Sequence, residues 1–182
     1  MIELLVVITV IGVLAVALGL SFQGWQGKYR VEATVKGIYS DMMDARQMAL
    51  NRNLIYFVDF NQPAPPPQMG SYRVVEDSNN NNVLYAAAPA IAAGNTVLPT
   101  YPKVVDYAIT WAGGAITIDK KGIVQPAVDS DVDPLTDEVL CIVTVSDVDP
   151  DLDCLLVSQT RINLGKLTTW GGACDELNCV AR

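Results

Sequence analysis

Apolar residues fill positions 1–20, MIELLVVITVIGVLAVALGL, and Glu3 is the one ionisable side chain among them. At about 1.5 Å per helical residue such a run reaches roughly 30 Å, the thickness of a hydrocarbon core, so it predicts a membrane-spanning helix. A secretory signal peptide fits less well. No basic stretch precedes the apolar core, and the run exceeds the usual h-region of about 7–15 residues. Ala15-Val16-Ala17 is a poor cleavage site, because Leu18 and Leu20 continue the apolar run beyond it. Phe22, Trp25 and Tyr29 then suit a membrane interface. Gly19, Gly24 and Gly27 predict either a loosened helix, since each costs about 1 kcal/mol relative to alanine, or close packing.

From Tyr29 to Arg52 the pattern changes to one apolar stripe. Val31, Val35, Ile38, Met42, Ala45 and Ala49 recur at three- and four-residue steps, with Glu32, Lys36, Asp41, Asp44 and Arg46 mostly off the stripe. This predicts an amphipathic helix laid on a sheet and terminated near Asn51–Asn53.

The remainder reads as strands and turns. Strands are expected over 54–60 and 71–76, with an exposed proline-rich loop at Gln62–Pro67 and a turn at Asp77–Asn82. The alanine-rich stretch 86–94 reads as loop or a short helix. Residues 104–111 and 115–119 predict a hairpin across Gly113-Gly114, followed by a short strand at 123–125. A second hairpin is expected from 139–145 and 155–159, with a last strand in 161–168. The expected fold is α+β. A long N-terminal helix with a hydrophobic first half packs on an antiparallel β-rich C-terminal head. Its parts are 1–27 as the hydrophobic membrane helix, 28–52 as the amphipathic second half, and 53–182 as the globular head.

Composition narrows the chemistry. The net charge of −8 argues against nucleic acid as a partner, because phosphate neutralisation needs clustered lysine and arginine. Histidine is absent, which removes Ser-His-Asp catalysis and His-ligated zinc. No nucleophile stands with a base, and no catalytic constellation is expected. The four cysteines, Cys141, Cys154, Cys174 and Cys179, predict disulfides in an oxidising compartment. A hairpin turning near Asp147-Val148 would set Cys141 opposite Cys154, leaving Cys174–Cys179 to close a small loop. Four cysteines allow three connectivities, and the others stay open.

Ser130-Asp131-Val132-Asp133-Pro134 recurs as Ser146-Asp147-Val148-Asp149-Pro150. Alternating carboxylates on a short loop can converge their oxygens on a hard cation. Asp129, Asp131, Asp133, Asp147, Asp149, Asp151 and Asp153 are therefore candidate calcium ligands. Neither copy has the glycine and distal glutamate of an EF-hand loop, and the alternative is a pair of solvated acidic turns.

Glu3 is the most telling position. A carboxylate in an apolar run is costly in lipid and marks function. Copies packed side by side can use it, because a neighbour's terminal amine can neutralise it. The strings Ile2-Glu3-Leu4-Leu5-Val6-Val7-Ile8 and Ile11-Gly12-Val13-Leu14-Ala15 resemble the N-terminus of type IV pilins and type II secretion pseudopilins. Ala45-Arg46-Gln47-Met48-Ala49-Leu50-Asn51-Arg52-Asn53 is similar to the A-R-x-x-A-x-x-R-N segment of GspH/FimT-like minor pilins. One departure is the lack of a proline near position 20. The resemblance implies a basic leader cut by a prepilin peptidase, two further mature residues before Met1, and methylation of the new N-terminus. It implies a filament subunit that sits in the inner membrane with its head in the periplasm, then enters an extracellular filament. The implied partners are copies of itself, other pilins, the inner-membrane assembly machinery and, before assembly, lipid. Two alternatives stand beside the pilus subunit: a minor pseudopilin of a secretion system, and a single-span protein with a calcium-dependent adhesive head.

Overall fold

A computed structural model describes residues 2–60, 70–87, 90–111, 113–125, 138–143, 148–169 and 172–182, with side chains described at these positions except 15–24, 87 and 143. The proline-rich loop expected at Gln62–Pro67 lies outside them.

The helix α1 is assigned over Ile2–Arg52. Its amphipathic stripe behaves as the periodicity predicts: Val31, Val35, Ile38, Met42, Ala45 and Ala49 are all buried. Asn53, with φ at 55°, ends it in the left-handed region that asparagine tolerates better than most residues.

Thirteen strands follow among the described residues. They are β1 (Ile55–Asp59), β2 (Gly70–Asp77), β3 (Tyr85–Ala87), β4 (Ala90–Ile91), β5 (Asn95–Val97), β6 (Lys103–Val105) and β7 (Ala108–Trp111). Then come β8 (Ile116–Ile118), β9 (Val124–Gln125), β10 (Glu138–Val143), β11 (Cys154–Val157), β12 (Ile162–Leu167) and β13 (Cys179–Ala181). One antiparallel sheet runs β5-β2-β1-β8-β9, with β6 also paired to β2. The other runs β13-β12-β11-β10-β7, and β3-β4 is a separate small hairpin. The Val124 N–H donates to the Gln159 carbonyl at 2.9 Å and links the two sheets.

The helical stripe packs against both sheets, on Tyr56, Val58, Ile116, Ile118, Leu140, Ile142, Leu155 and Val157. Asp41 lies at the border of this core, 8% exposed. It accepts from the Tyr72 hydroxyl at 2.5 Å and from Lys103 Nζ at 2.6 and 2.7 Å, which ties the helix to β2 and β6.

The expected fold needs correction. No single long helix packs on the head along its whole length, although the backbone of α1 runs from Ile2 to Arg52. The helical side chains that are described form two stretches, 2–14 and 25–52, and the stripe that packs on the sheets lies in the second. Every described side chain from Ile2 to Leu14 is exposed. The reason is in the pattern. A stretch that is apolar all round has no one face to lay on a sheet, whereas 31–49 has a single stripe. The antiparallel, β-rich remainder is as expected. The loosening expected between Gly19 and Gly27 does not appear: the backbone stays helical there.

The first predicted hairpin is also corrected. β7 pairs with β10 and β8 pairs with β1, so the chain crosses from one sheet to the other at Gly113-Gly114 instead of folding back on itself. The alanine-rich stretch forms the small β3–β4 hairpin. The second predicted hairpin is present as β10–β11, and β12 is the expected last strand, to which β13 adds an edge.

Candidate functional site

The N-terminal stretch presents its apolar side chains outward on all sides. Ile2 is 78% exposed, Val13 71% and Ile11 60%. Glu3 lies in the first helical turn, where a negative charge favours the positive end of the helix dipole. Its expected partner, a terminal amine, lies outside the described residues. Among the described residues no helix is long and apolar enough to cross a membrane. The expected span runs through 15–24, whose side chains are not described.

Where the helix approaches the head, Trp25 and Tyr29 stack one turn apart with ring centroids 6.1 Å from each other, and both are exposed. On another side of the same turns the second acidic loop docks. A Cβ at Gly27 would stand 2.9 Å from a methyl of Val148, so the bare glycine lets Val148 sit on the helix. Close packing, and not flexibility, is the role of this glycine. The Asp151 N–H donates to Glu32 Oε1 at 3.2 Å, and Lys36 Nζ donates to Glu32 Oε2 at 3.3 Å.

Of the candidate calcium ligands, Asp129, Asp131, Asp133 and Asp147 lie outside the described residues. The other three are Asp149, Asp151 and Asp153. Lys166 Nζ lies 2.9 Å from Asp149 and 3.9 Å from Asp151, so an ammonium already supplies positive charge there. Its hydrogen bond lowers the Asp149 pKa. Asp153 is buried at the start of β11, 1% exposed. Its Oδ1 accepts from the Leu167 N–H at 2.7 Å, while Oδ2 has no hydrogen-bond partner among the described residues. Burial raises its pKa, against the pull of the Leu167 bond and Lys166. Among the described residues no group of three or more His, Cys, Asp or Glu side chains is placed to hold a metal ion.

The disulfides form, with a different connectivity from the expected one. Cys141 bonds Cys174 and Cys154 bonds Cys179. The predicted register is right, since Cys141 and Cys154 are cross-strand partners. Both face the outer side of the sheet, where the C-terminal segment returns and takes each in turn. Composition offers no sign of that return, because β13 is only three residues long.

Comparison with family models, with curated proteins and with solved structures gives no match.

Proposed function

We propose that the chain is a structural subunit of a type IV pilus-like extracellular filament, assembled through its apolar N-terminal segment. The observation that carries this reading is the exposure of every described side chain from Ile2 to Leu14, around the lone acid Glu3. Contiguous apolar surface of this extent marks a site of membrane or protein association. Lipid covers it before assembly and copies of the same segment cover it afterwards. The transfer from lipid to a bundle of like segments yields little apolar driving force, so packing and a specific polar pairing must set direction and register. Glu3 supplies that pairing with the terminal amine of a neighbouring copy. Unpaired, its desolvation in the apolar layer would cost several kcal/mol.

The sequence supports the same reading independently. The strings around Glu3 and the 45–53 segment resemble type IV pilins and their minor-pilin branch. In this reading the head lies in the periplasm and then on the filament surface, and its two disulfides suit such an oxidising compartment. The test is electron microscopy of filaments sheared from the surface of cells producing the protein, with mass spectrometry of the sheared material. The chain is expected as a stoichiometric filament component. Its retention in the membrane fraction with none in sheared filaments would overturn the proposal.

A further inference from the structure

The turn after β2 carries oxygen-bearing side chains at alternate positions: Asp77, Asn79 and Asn81, with the Val83 carbonyl two residues further on. Asn80 and Asn82 hold φ of 59° and 56°, and the second stands where an EF-hand loop has its glycine, while the twelfth position of that template falls on Ala88 and supplies no carboxylate. Asp77 accepts from the Asn81 N–H at 3.2 Å and the Asn82 N–H at 2.7 Å. The turn after β4 holds the loop in place. Asn79 Nδ2 donates to the Ala93 carbonyl at 2.7 Å, and Asn95 Nδ2 donates to the Val83 carbonyl at 2.7 Å. Gly94, with φ at 92°, admits Asn79, whose Nδ2 would stand 2.4 Å from an added Cβ.

Two observations outside the loop's own geometry point to a ligand. Asp77 is completely buried, yet among the described residues no lysine or arginine pairs with it. Buried carboxylates are ordinarily paired with a cation or coordinate a metal. Asn95 is the cross-strand partner of Asp77, so the two side chains stand on one face of the sheet. Among the described residues Asn95 Oδ1 is buried with no hydrogen-bond partner. A buried carboxylate held by the Asn81 and Asn82 N–H groups with no lysine or arginine paired to it, and an amide oxygen without a partner among the described residues, thus share a face, and a bound cation would neutralise the first and engage the second.

We propose that the 77–83 loop is a calcium site, with Asp77, Asn79, Asn81 and the Val83 carbonyl as ligands and Asn95 Oδ1 completing the shell directly or through a water. The all-oxygen set, mostly neutral, suits a hard ion of flexible coordination, not zinc or copper. A single carboxylate among the ligands sets the affinity in the weak range of extracellular modules, with Kd of about 0.1–1 mM. The loop is distinct in sequence from the acidic repeats, and in the described part of the second repeat Lys166 already neutralises Asp149.

The test uses the full chain in detergent, titrated calorimetrically with calcium chloride, with thermal unfolding in calcium against sodium chloride of equal ionic strength. One saturable site is expected, with a rise in melting temperature of about 3–6 °C at roughly 10 mM calcium. Asp77→Asn and Asn81→Ala should each weaken binding at least tenfold, while the double variant Asp131→Asn, Asp147→Asn should leave it unchanged. Should Asp77→Asn fail to fold, Asn81→Ala decides, because Asn81 is exposed. Absence of calcium-specific heat in the wild type, undiminished binding by Asn81→Ala, or loss of binding in the acidic-repeat variant would overturn the assignment.

Discussion

Cys141 and Cys154 stand opposite each other across the β10–β11 ladder, and each is bonded to a cysteine of the C-terminal segment. The bonds span sequence separations of 33 and 25 residues, so each closes a longer loop than a Cys141–Cys154 bond would. In the chain-entropy account each stabilises the head by roughly 3–4 kcal/mol. The second bond passes over β12 at Gly165, where a Cβ would lie 2.7 Å from the Cys179 sulfur and 3.0 Å from that of Cys154. Gly165→Val should therefore prevent the Cys154–Cys179 bond and cost about 2–4 kcal/mol. Non-reducing peptide mapping checks this. An intact Cys154–Cys179 peptide from the variant would contradict the arrangement.

Two helix glycines should respond in opposite directions. Gly37 has no atom within 4 Å of an added Cβ, so Gly37→Ala should gain helix propensity and stabilise by about 0.5–1 kcal/mol. Gly27→Ala meets Val148 and must displace it or its loop, which should offset that gain and lower the melting temperature. Thermal unfolding of the two variants side by side checks the sign. Equal stabilisation by both would mean that Val148 does not rest on the helix.

Lys103 offsets the charge of the nearly buried Asp41. Lys103→Ala leaves that carboxylate with the Tyr72 hydroxyl and should destabilise by about 1–2 kcal/mol, less than for a fully buried pair because Lys103 is partly in solvent. Asp41→Asn in the same background should recover part of the loss. Denaturant unfolding of the single and double variants checks this, and strictly additive losses would contradict the coupling.

Asp153 gives a pH signature. Burial holds its carboxyl above the ordinary 3.8, so the native state binds this proton more readily than the unfolded chain. The stability it contributes is full below 3.8 and is lost as pH rises through the raised value. Asp153→Asn stays neutral and keeps an oxygen for the Leu167 N–H. It should melt higher than the wild type at neutral pH and show a flatter stability profile above pH 3.8. A variant that melts lower at neutral pH would show that the charge is stabilised in the native state.

The legible parts of the fold were those with a strong period. The stripe from Val31 to Ala49 was readable because six apolar residues at helical spacing need one face of a sheet, and all six are buried. In β10 and β11, alternation sends Leu140, Ile142, Leu155 and Val157 to the core and Val139, Cys141, Cys154 and Leu156 to the outer cluster. Pairing was less legible. β7 and β8 read as a hairpin because a glycine pair separates them, but a turn sequence does not record that the two strands belong to different sheets. The disulfide connectivity was illegible for a related reason, since it depends on where a three-residue edge strand returns. At the N-terminus, the same lack of a polar face that suggested a buried environment left the stretch without a side to pack against the head. The charge of Lys166 on the acidic repeat was also hidden, because it comes from a neighbouring strand.

The central claim is assembly through the apolar segment with Glu3 as its polar pairing. Its most direct test is the quantity of sheared filaments from cells producing Glu3→Ala at wild-type level, measured beside the membrane-fraction content of the protein. The account predicts wild-type abundance in the membrane and a filament yield reduced at least tenfold, with Glu3→Asp retaining part of the yield. A normal filament yield from Glu3→Ala would contradict it.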